Sequence, residues 1–429
     1  MVSIRVKDEA PQPCYSQTNT DSQVSMQLTT LTPPPYLSNI VSYLKDNEAE
    51  LWQWFSTHRV DSQRMDSARL HLLKTTYRIE KTTHPRLYEL AESISARLGI
   101  EGTITFYQAQ EATQLNAMLS FIPGEPHVIF FGPLLDTFDD SELEIIIAHE
   151  LSHFLMWTQD EQQFYTAEQV LNAIAGDQQA SACHAESARL FSLFTEVYCD
   201  RGALHVSENL DRAISTLLRV GTGLKAIDAQ SFLKQSEEIL QRDQAGSDSL
   251  SHPASYLRAR ALQLWHEETV SAEEAITSLI RGPLTFLTMD LLERQTLEGH
   301  TRTFLDHFLA PAWFATEAVV AHAQLFIPGF RPIAPDLSQA ELAEWLLRGD
   351  EKLYDYFCYL MLDFIAVDRE LEEMPLAQAI RCSQWLGIEA RFAELAIKEL
   401  KLTKTRFNTI RKQTEVILDA ANARQEKQQ

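Results

Sequence analysis

The run from Leu143 to Trp157 constrains this chain most. It is strongly apolar, yet it carries His149-Glu150-Leu151-Ser152-His153 at its centre. Residues four apart share one face of a helix, so a helix over this run aims both imidazoles in the same direction. Two unpaired imidazoles in an apolar helix are costly, and a shared metal ion satisfies both while leaving Glu150 beside it as a base. The plain alternative is a pair of hydrogen-bonded core histidines. Chance supplies such a pentapeptide about 0.03 times per chain of this composition, so its surroundings have to carry part of the argument.

A zinc ion in a reactive site takes three protein ligands and leaves a fourth position open, which calls for one more ligand. The helical stretch Leu193-Phe-Thr-Glu-Val-Tyr-Cys-Asp-Arg-Gly-Ala-Leu offers Glu196, with Asp200 one turn later on the same face. Glu196 is the expected third ligand, and Asp200 the carboxylate that accepts the free N–H of a ligand histidine and fixes its tautomer. A solvated acidic face is the competing reading, and Leu193, Phe194 and Val197 around Glu196 speak against it. Cys199 is expected to be a buried structural thiol.

Bulk properties narrow the partners. A net charge of -23 over 429 residues excludes nucleic acid as an expected partner, because phosphate binding rests on Lys and Arg, and it argues equally against anionic lipid. The opening residues MVSIRVKDEAPQPC hold no apolar core of the kind a secretory signal needs. The most apolar later stretch, Phe308 to Phe330, is broken by Pro311, Glu317 and His322, so no membrane anchor is expected. Five cysteines at positions 14, 183, 199, 358 and 382 do not form a disulfide framework, which points to the cytoplasm.

The expected fold class is α+β and mostly α-helical, a metal-binding domain with a small β-sheet followed by an all-α accessory region. Residues 1–35, rich in Gln, Ser, Thr and Pro, read as a disordered leader. Helical periodicity runs from Tyr36 to about Leu98. Thr103-Ile-Thr-Phe-Tyr and His127-Val-Ile-Phe-Phe read as strands. Asp139-Asp140-Ser141 with Glu144 resembles a capping box opening the histidine helix, and a second strong helix spans about Glu186 to Val206. The domain reading is therefore leader 1–35, metal domain 36–265, helical connecting region 266–345, helical bundle 346–415 and tail 416–429.

Leu115-Asn116-Ala117, Pro123-Gly124, the strand His127 to Phe131, Leu134-Leu135-Asp136, Glu142-Leu143 and Ala148-His-Glu-Leu-Ser-His stand in the order of landmarks of a known family. The stretch resembles the CAAX-prenyl-protease and HtpX-type zinc metallopeptidases of family M48, which are gluzincins. Glu196-x-x-x-Asp200-Arg201 resembles the family's third-ligand motif, and Ser251-His252-Pro253 with Arg258 its downstream element. The resemblance covers roughly residues 70–265. It implies a gluzincin-type fold and one Zn2+ per chain held by His149, His153 and Glu196. It further implies Glu150 as general base, Asp200 and Arg258 as supporting groups, and His252 as the group that stabilises the oxyanion. Asn116 and Ala117 correspond to the edge segment that pairs with an extended protein or peptide substrate. The segment between Asn116 and Pro123 is longer than the family spacing, and Cys199 replaces a small residue. The spanning helices of the best-known relatives are absent, so prenylated membrane substrates are not implied.

In the second half, Leu362-Asp-Phe-Ile-Ala-Val-Asp-Arg-Glu-Leu-Glu-Glu-Met-Pro and Trp385-Leu-Gly-Ile resemble the helical TerB-like domains of tellurite-resistance proteins, with Arg369 in place of a common Gly. The acidic run Asp368, Glu370, Glu372 and Glu373 reads as a solvated helix start. This half is expected to bind a regulatory protein partner, with the basic residues 398–412 as a contact surface. The leading expectation is a cytoplasmic zinc metalloendopeptidase with an α-helical accessory region, and a further reading has it latent, occluded by the leader or the helical half until a partner releases it. The alternative is a non-catalytic interaction or regulatory protein that keeps a structural zinc, in which Glu150 has no use.

Overall fold

A computed structural model of the chain describes residues 31–58, 62–110, 113–177, 180–242, 252–267 and 271–426. The expected leader lies almost wholly outside the described residues, as does Ser251. Regular structure begins with helices α1 (Pro35–Asn47), α2 (Ala49–Thr57) and α3 (Ser62–Thr75), strand β1 (Thr76–Ile79) and helix α4 (Pro85–Leu98). Strands β2 (Thr105–Ala109), β3 (Asn116–Ile122) and β4 (Glu125–Phe131) follow, then the short α5 (Leu134–Thr137) and the histidine helix α6 (Asp140–Thr158). Beyond them come α7 (Gln163–Ala175), α8 (Ala182–Ser207), α9 (Leu210–Thr222), α10 (Ala229–Arg242), α11 (Ser255–His266) and α12 (Ala272–Arg281). The remainder is α13 (Leu291–Phe308), α14 (Glu317–Phe326), α15 (Gln339–Leu347), α16 (Glu351–Ile365), α17 (Met374–Trp385), α18 (Glu389–Glu399), α19 (Lys404–Lys412) and α20 (Thr414–Glu426). The fold class is α+β and mostly α-helical, as the periodicity predicts. Among the described residues, no helix is long and apolar enough to cross a membrane.

The four strands form one sheet in the order β1-β2-β4-β3, with β2 and β4 parallel and the outer pairs antiparallel. β3 is thus an edge strand, joined to β4 by a two-residue turn. Pro123 and Gly124 (φ 79°) fill its central positions, and a positive φ at the second of these favours glycine. The register of this hairpin runs from Asn116 opposite Phe131 to Ile122 opposite Glu125. β1 falls where the sequence reads as continuous helix. It buries only its two end residues, Thr76 and Ile79, so no alternation announces it.

α6 starts at Asp139, whose side chain accepts from the backbone N–H groups of Ser141 and Glu142 while Glu142 reaches back to the Asp139 N–H. The capping box therefore closes on Glu142 and not on Glu144, because Asp139 rather than Ser141 is the cap. Arg219 of α9 pairs with the buried Glu142 and Arg212 with Asp139, which ties α9 to the start of α6.

One core packs α4 and α6 beneath the sheet. A second gathers α1, α7, α8, α11 and α12, and a third occupies the C-terminal helices from α13 to α20. α13 joins the last two, since Leu291 belongs to one and Leu297, Phe304 and Phe308 to the other. In the acidic run, Asp368 accepts from the Glu370 N–H and Glu370 and Glu372 are exposed, in keeping with a solvated helix start. Within the basic stretch, Arg406 pairs with Glu373 and Arg411 with Glu389.

Candidate metal centre

α6 and α8 cross closely because Gly202 of α8 faces Ser152 of α6. A Cβ on Gly202 would stand 2.8 Å from the Ser152 Cβ. That approach sets the carboxylates of α8 against the imidazoles of α6. His149 Nε2 lies 3.4 Å from Glu196 Oε2, and His153 Nε2 lies 3.4 Å from Glu196 Oε1. Neighbouring tetrahedral ligands at about 2.0–2.1 Å from a zinc ion are spaced by about 3.3–3.4 Å, and each imidazole stands at that distance from a Glu196 oxygen. Glu196 is 5% exposed. Its Oε2 comes within 2.8 Å of His252 Nδ1 yet accepts no aligned hydrogen bond within the chain. A buried carboxylate oxygen left in that state is what a metal ligand looks like before its cation is added.

Asp200 and Arg258 both stand beside the imidazoles and Glu196. His149 turns its other nitrogen, Nδ1, to Asp200 Oδ1 at 3.1 Å. Arg258 of α11 donates to both oxygens of Asp200, at 2.7 and 2.6 Å, and its Nη2 is 3.6 Å from Glu196 Oε2. Burial alone would raise the carboxyl of Asp200, but the charge of Arg258 and the hydrogen bonds from Arg258 and His149 hold it below its ordinary value. Burial likewise opposes ionisation of Glu196, and the three histidines around it outweigh burial and keep it ionised. For His149 burial works downward, while the neighbouring carboxylates of Asp200 and Glu196 carry it up to about 10.

Glu150 is buried and lines the same cavity as His149, His153, Glu196, Asp200, His252 and Arg258. Asn116, exposed, and Ala117, buried, open β3 on the wall of that cavity. His252 stands just before α11 with 60% of its side chain exposed. All nine residues singled out in the sequence thus come to one place.

Cys199 is buried and free, as expected of a structural thiol, although its Sγ and the donor atoms of His149 and His153 lie within 4.8 Å of one another. Burial, then the negative charges of Glu196, Glu150 and Asp200, push the Cys199 thiol well above its ordinary value, which disfavours the thiolate that a metal would need. The cavity also extends along α9 through Ala213, Thr216, Leu217 and Val220. Their spacing marks one face of a helix, but only the tertiary fold says which cavity that face meets.

Residues 81–266 match the sequence profile of peptidase family M48. The chain is 24% identical over 215 residues to the plastoglobule-localized metallopeptidase 48, chloroplastic, of Arabidopsis thaliana, covering 46% of this chain and 61% of that relative. It therefore spans about three fifths of the length of the curated relative it matches. No solved structure matches it significantly. Every residue of the candidate centre thus lies within residues 81–266, the segment that is similar to peptidase family M48.

Proposed function

We propose that the chain is a zinc-dependent metalloendopeptidase acting on protein or peptide substrates. The observation that carries the reading is the convergence of His149 Nε2 and His153 Nε2 on the two oxygens of Glu196, with Glu150 on the same turn of α6 and in the same cavity. In this reading His149, His153 and Glu196 hold one Zn2+, which when bound supplies a Lewis acid and an acidified water molecule. Asp200 keeps the proton of His149 on Nδ1, so that Nε2 offers its lone pair. Asp200 is itself held in place by Arg258.

Glu150 takes a proton from the attacking water and returns it to the leaving amine, which is general acid–base work. His252 meets the oxyanion as charge develops on the scissile carbonyl oxygen. β3, an edge strand, pairs with the extended substrate through Asn116 and Ala117. The four described cysteines are free and buried, which supports a reducing compartment, and we place the chain in the cytoplasm on that ground.

The test is Glu150→Gln. Zinc content should stay near one ion per chain while peptide turnover falls by at least about 100-fold. Equal turnover would sink the catalytic assignment, and a zinc-loaded chain inert toward every peptide would favour the non-catalytic alternative. Latency, with release by a partner on the C-terminal helices, is a further part of this reading. Limited proteolysis that raises turnover would support it, and full turnover by the intact chain would remove it.

A further inference from the structure

We propose that a second cavity, at the far end of β3 from the candidate metal centre, is a substrate subsite for a large apolar side chain, aromatic by preference, about four to five residues from the scissile bond. The inference rests on the peptidase reading, since it takes the occupant to be a peptide laid along β3. β3 is the edge of the sheet, and its two ends serve two cavities. Asn116, Ala117, Met118 and Leu119 line the candidate centre, while Phe121, Ile122 and Pro123 line the second cavity. A strand advances about 3.3 Å per residue, so a chain paired along β3 covers roughly 13–17 Å from Ala117 to Phe121 or Ile122. Trp157 of α6 links the two cavities. It lines the candidate centre, and its ring lies 5.3 Å from that of His153 and 5.5 Å from that of Phe121.

The second cavity measures about 210 Å3. Trp54 and Phe55 of α2, His58 just after it, Met65 of α3, Phe121 and Tyr165 of α7 line it, and each keeps exposed surface. An occupant therefore touches these side chains without moving them. Among the described residues no Asp, Glu, Lys or Arg lines the cavity, so a charged side chain would give up hydration there without a counter-charge. The rings are held before anything binds. Trp54 stacks on His58 at 4.8 Å and meets Phe55 edge-on at 4.7 Å, and Phe121 lies 4.5 Å from Tyr165. Walls already in place save the ordering cost of binding. Aromatic pairs gain energy beyond the area they bury, which favours a ring over an aliphatic chain. A lone exposed tryptophan is ordinary, but Trp54, 47% exposed, stands at the end of the strand that the substrate pairs with. That continuity selects a substrate residue as the occupant.

The test uses the full-length zinc-loaded chain and labelled alanine–serine peptides, longer than β3, that carry one central tryptophan, leucine or glutamine. Mass spectrometry locates the bonds that the parent chain cuts, and fluorescence anisotropy reads affinity for the Glu150→Gln chain. In the tryptophan peptide the cut should fall about four to five residues from the ring, on one side only. Its affinity should exceed that of the glutamine peptide by roughly 5- to 20-fold, with leucine between. Trp54→Ala should scatter the cut bonds and bring that ratio to about one at the same melting temperature and zinc content. Ala68→Phe, which fills the cavity from α3, should do the same by the opposite change. Equal binding of the tryptophan and glutamine peptides, selectivity that survives both variants, or no binding of any peptide would overturn the subsite. Tryptophan-selective binding that both variants remove, without cleavage by the parent, would leave the subsite standing and sink the catalytic reading. Cleavage at no fixed distance from the ring would do the reverse.

Discussion

Arg258 holds Asp200 by two parallel hydrogen bonds, Nε to Oδ2 at 2.7 Å and Nη2 to Oδ1 at 2.6 Å, across 58 residues of sequence. Asp200 faces His149 on its other side, so α11 reaches the candidate metal centre through this carboxylate, with Arg258 Nη2 also 3.6 Å from Glu196 Oε2. Fork-to-fork geometry is specific to arginine, and lysine keeps the charge without the second bond. Arg258→Lys should therefore weaken zinc binding by roughly 10- to 100-fold in chelator competition, as loss of an outer support does. Arg258→Ala leaves Asp200 buried beside Glu196 without its cation and should also destabilise the fold by about 3–5 kcal/mol. Unchanged zinc affinity in the lysine variant would mean that Asp200 needs no help to orient His149.

Gly202 is where α8 lets α6 approach. A methyl there meets both heavy atoms of the Ser152 side chain, and Ser152 is fixed by donating to Ala148 O at 2.7 Å. Alanine is the better helix former by about 1 kcal/mol, so on propensity alone Gly202→Ala would stabilise. We expect the opposite, a loss of roughly 1–3 kcal/mol from overpacking, with weaker zinc binding because His149 and His153 move with α6. Ser152→Gly in the same chain should recover part of both losses. An alanine variant as stable as the parent in urea titration would show that the two helices can part without consequence.

The pattern of what was legible follows from the range of the interactions. His149 and His153 share a face because of helix period alone, and the same period relates Glu196 to Asp200, so both pairs can be read locally. That the two helices cross with Glu196 between the imidazoles depends on Gly202 against Ser152, a contact between residues 50 apart that no local pattern encodes. The family resemblance supplied Arg258 and His252, which lie on a segment joined to the site only by tertiary folding. α9 shows the limit most clearly. Its strong two-sided character predicts a half-buried helix, while its role as a cavity wall depends on the Arg219–Glu142 pair that docks it on α6. β1 is hidden for a different reason, being too short to alternate.

Glu168 of α7 sets a pH dependence. Burial raises its carboxyl from 4.5 to about 7, the charge of His153 working against this and that of Glu196 with it. The folded chain therefore keeps a proton between about pH 4.5 and 7 that the unfolded chain has released. Stability from this group is full below the unfolded value and is lost as pH rises through 7. Glu168→Gln, neutral throughout, should be more stable than the parent at pH 8, by at most roughly 3 kcal/mol, with the gap closing toward pH 5. Parallel stability curves for the two chains would show that Glu168 titrates as an ordinary surface carboxyl.

Residues past the matched segment complete the core around the candidate metal centre. Ile276 and Ile280 of α12 and Leu291 of α13 are buried in the core around α1, α7 and α8. Arg201, 2% exposed and directly after Asp200 on the ligand helix, pairs with Glu273 through Nη1 to Oε1 at 2.7 Å and Nη2 to Oε2 at 2.9 Å. A chain ended at His266 loses these apolar contacts and leaves a guanidinium buried with no counter-charge, a loss of about 3–5 kcal/mol from the ion pair alone. Such a fragment should unfold at clearly lower urea concentration than the full chain. It should also bind zinc more weakly, because the strain falls one residue from Asp200. Extending it to Leu309 restores Glu273, Ile276, Ile280 and Leu291 but bares Phe304 and Phe308 of α13, so this longer fragment should bind zinc normally and self-associate. If the chain ended at 266 matched the full chain in urea midpoint and zinc affinity, α12 and α13 would be passengers on the ligand helix, and the Arg201–Glu273 pair would have no part in holding the centre.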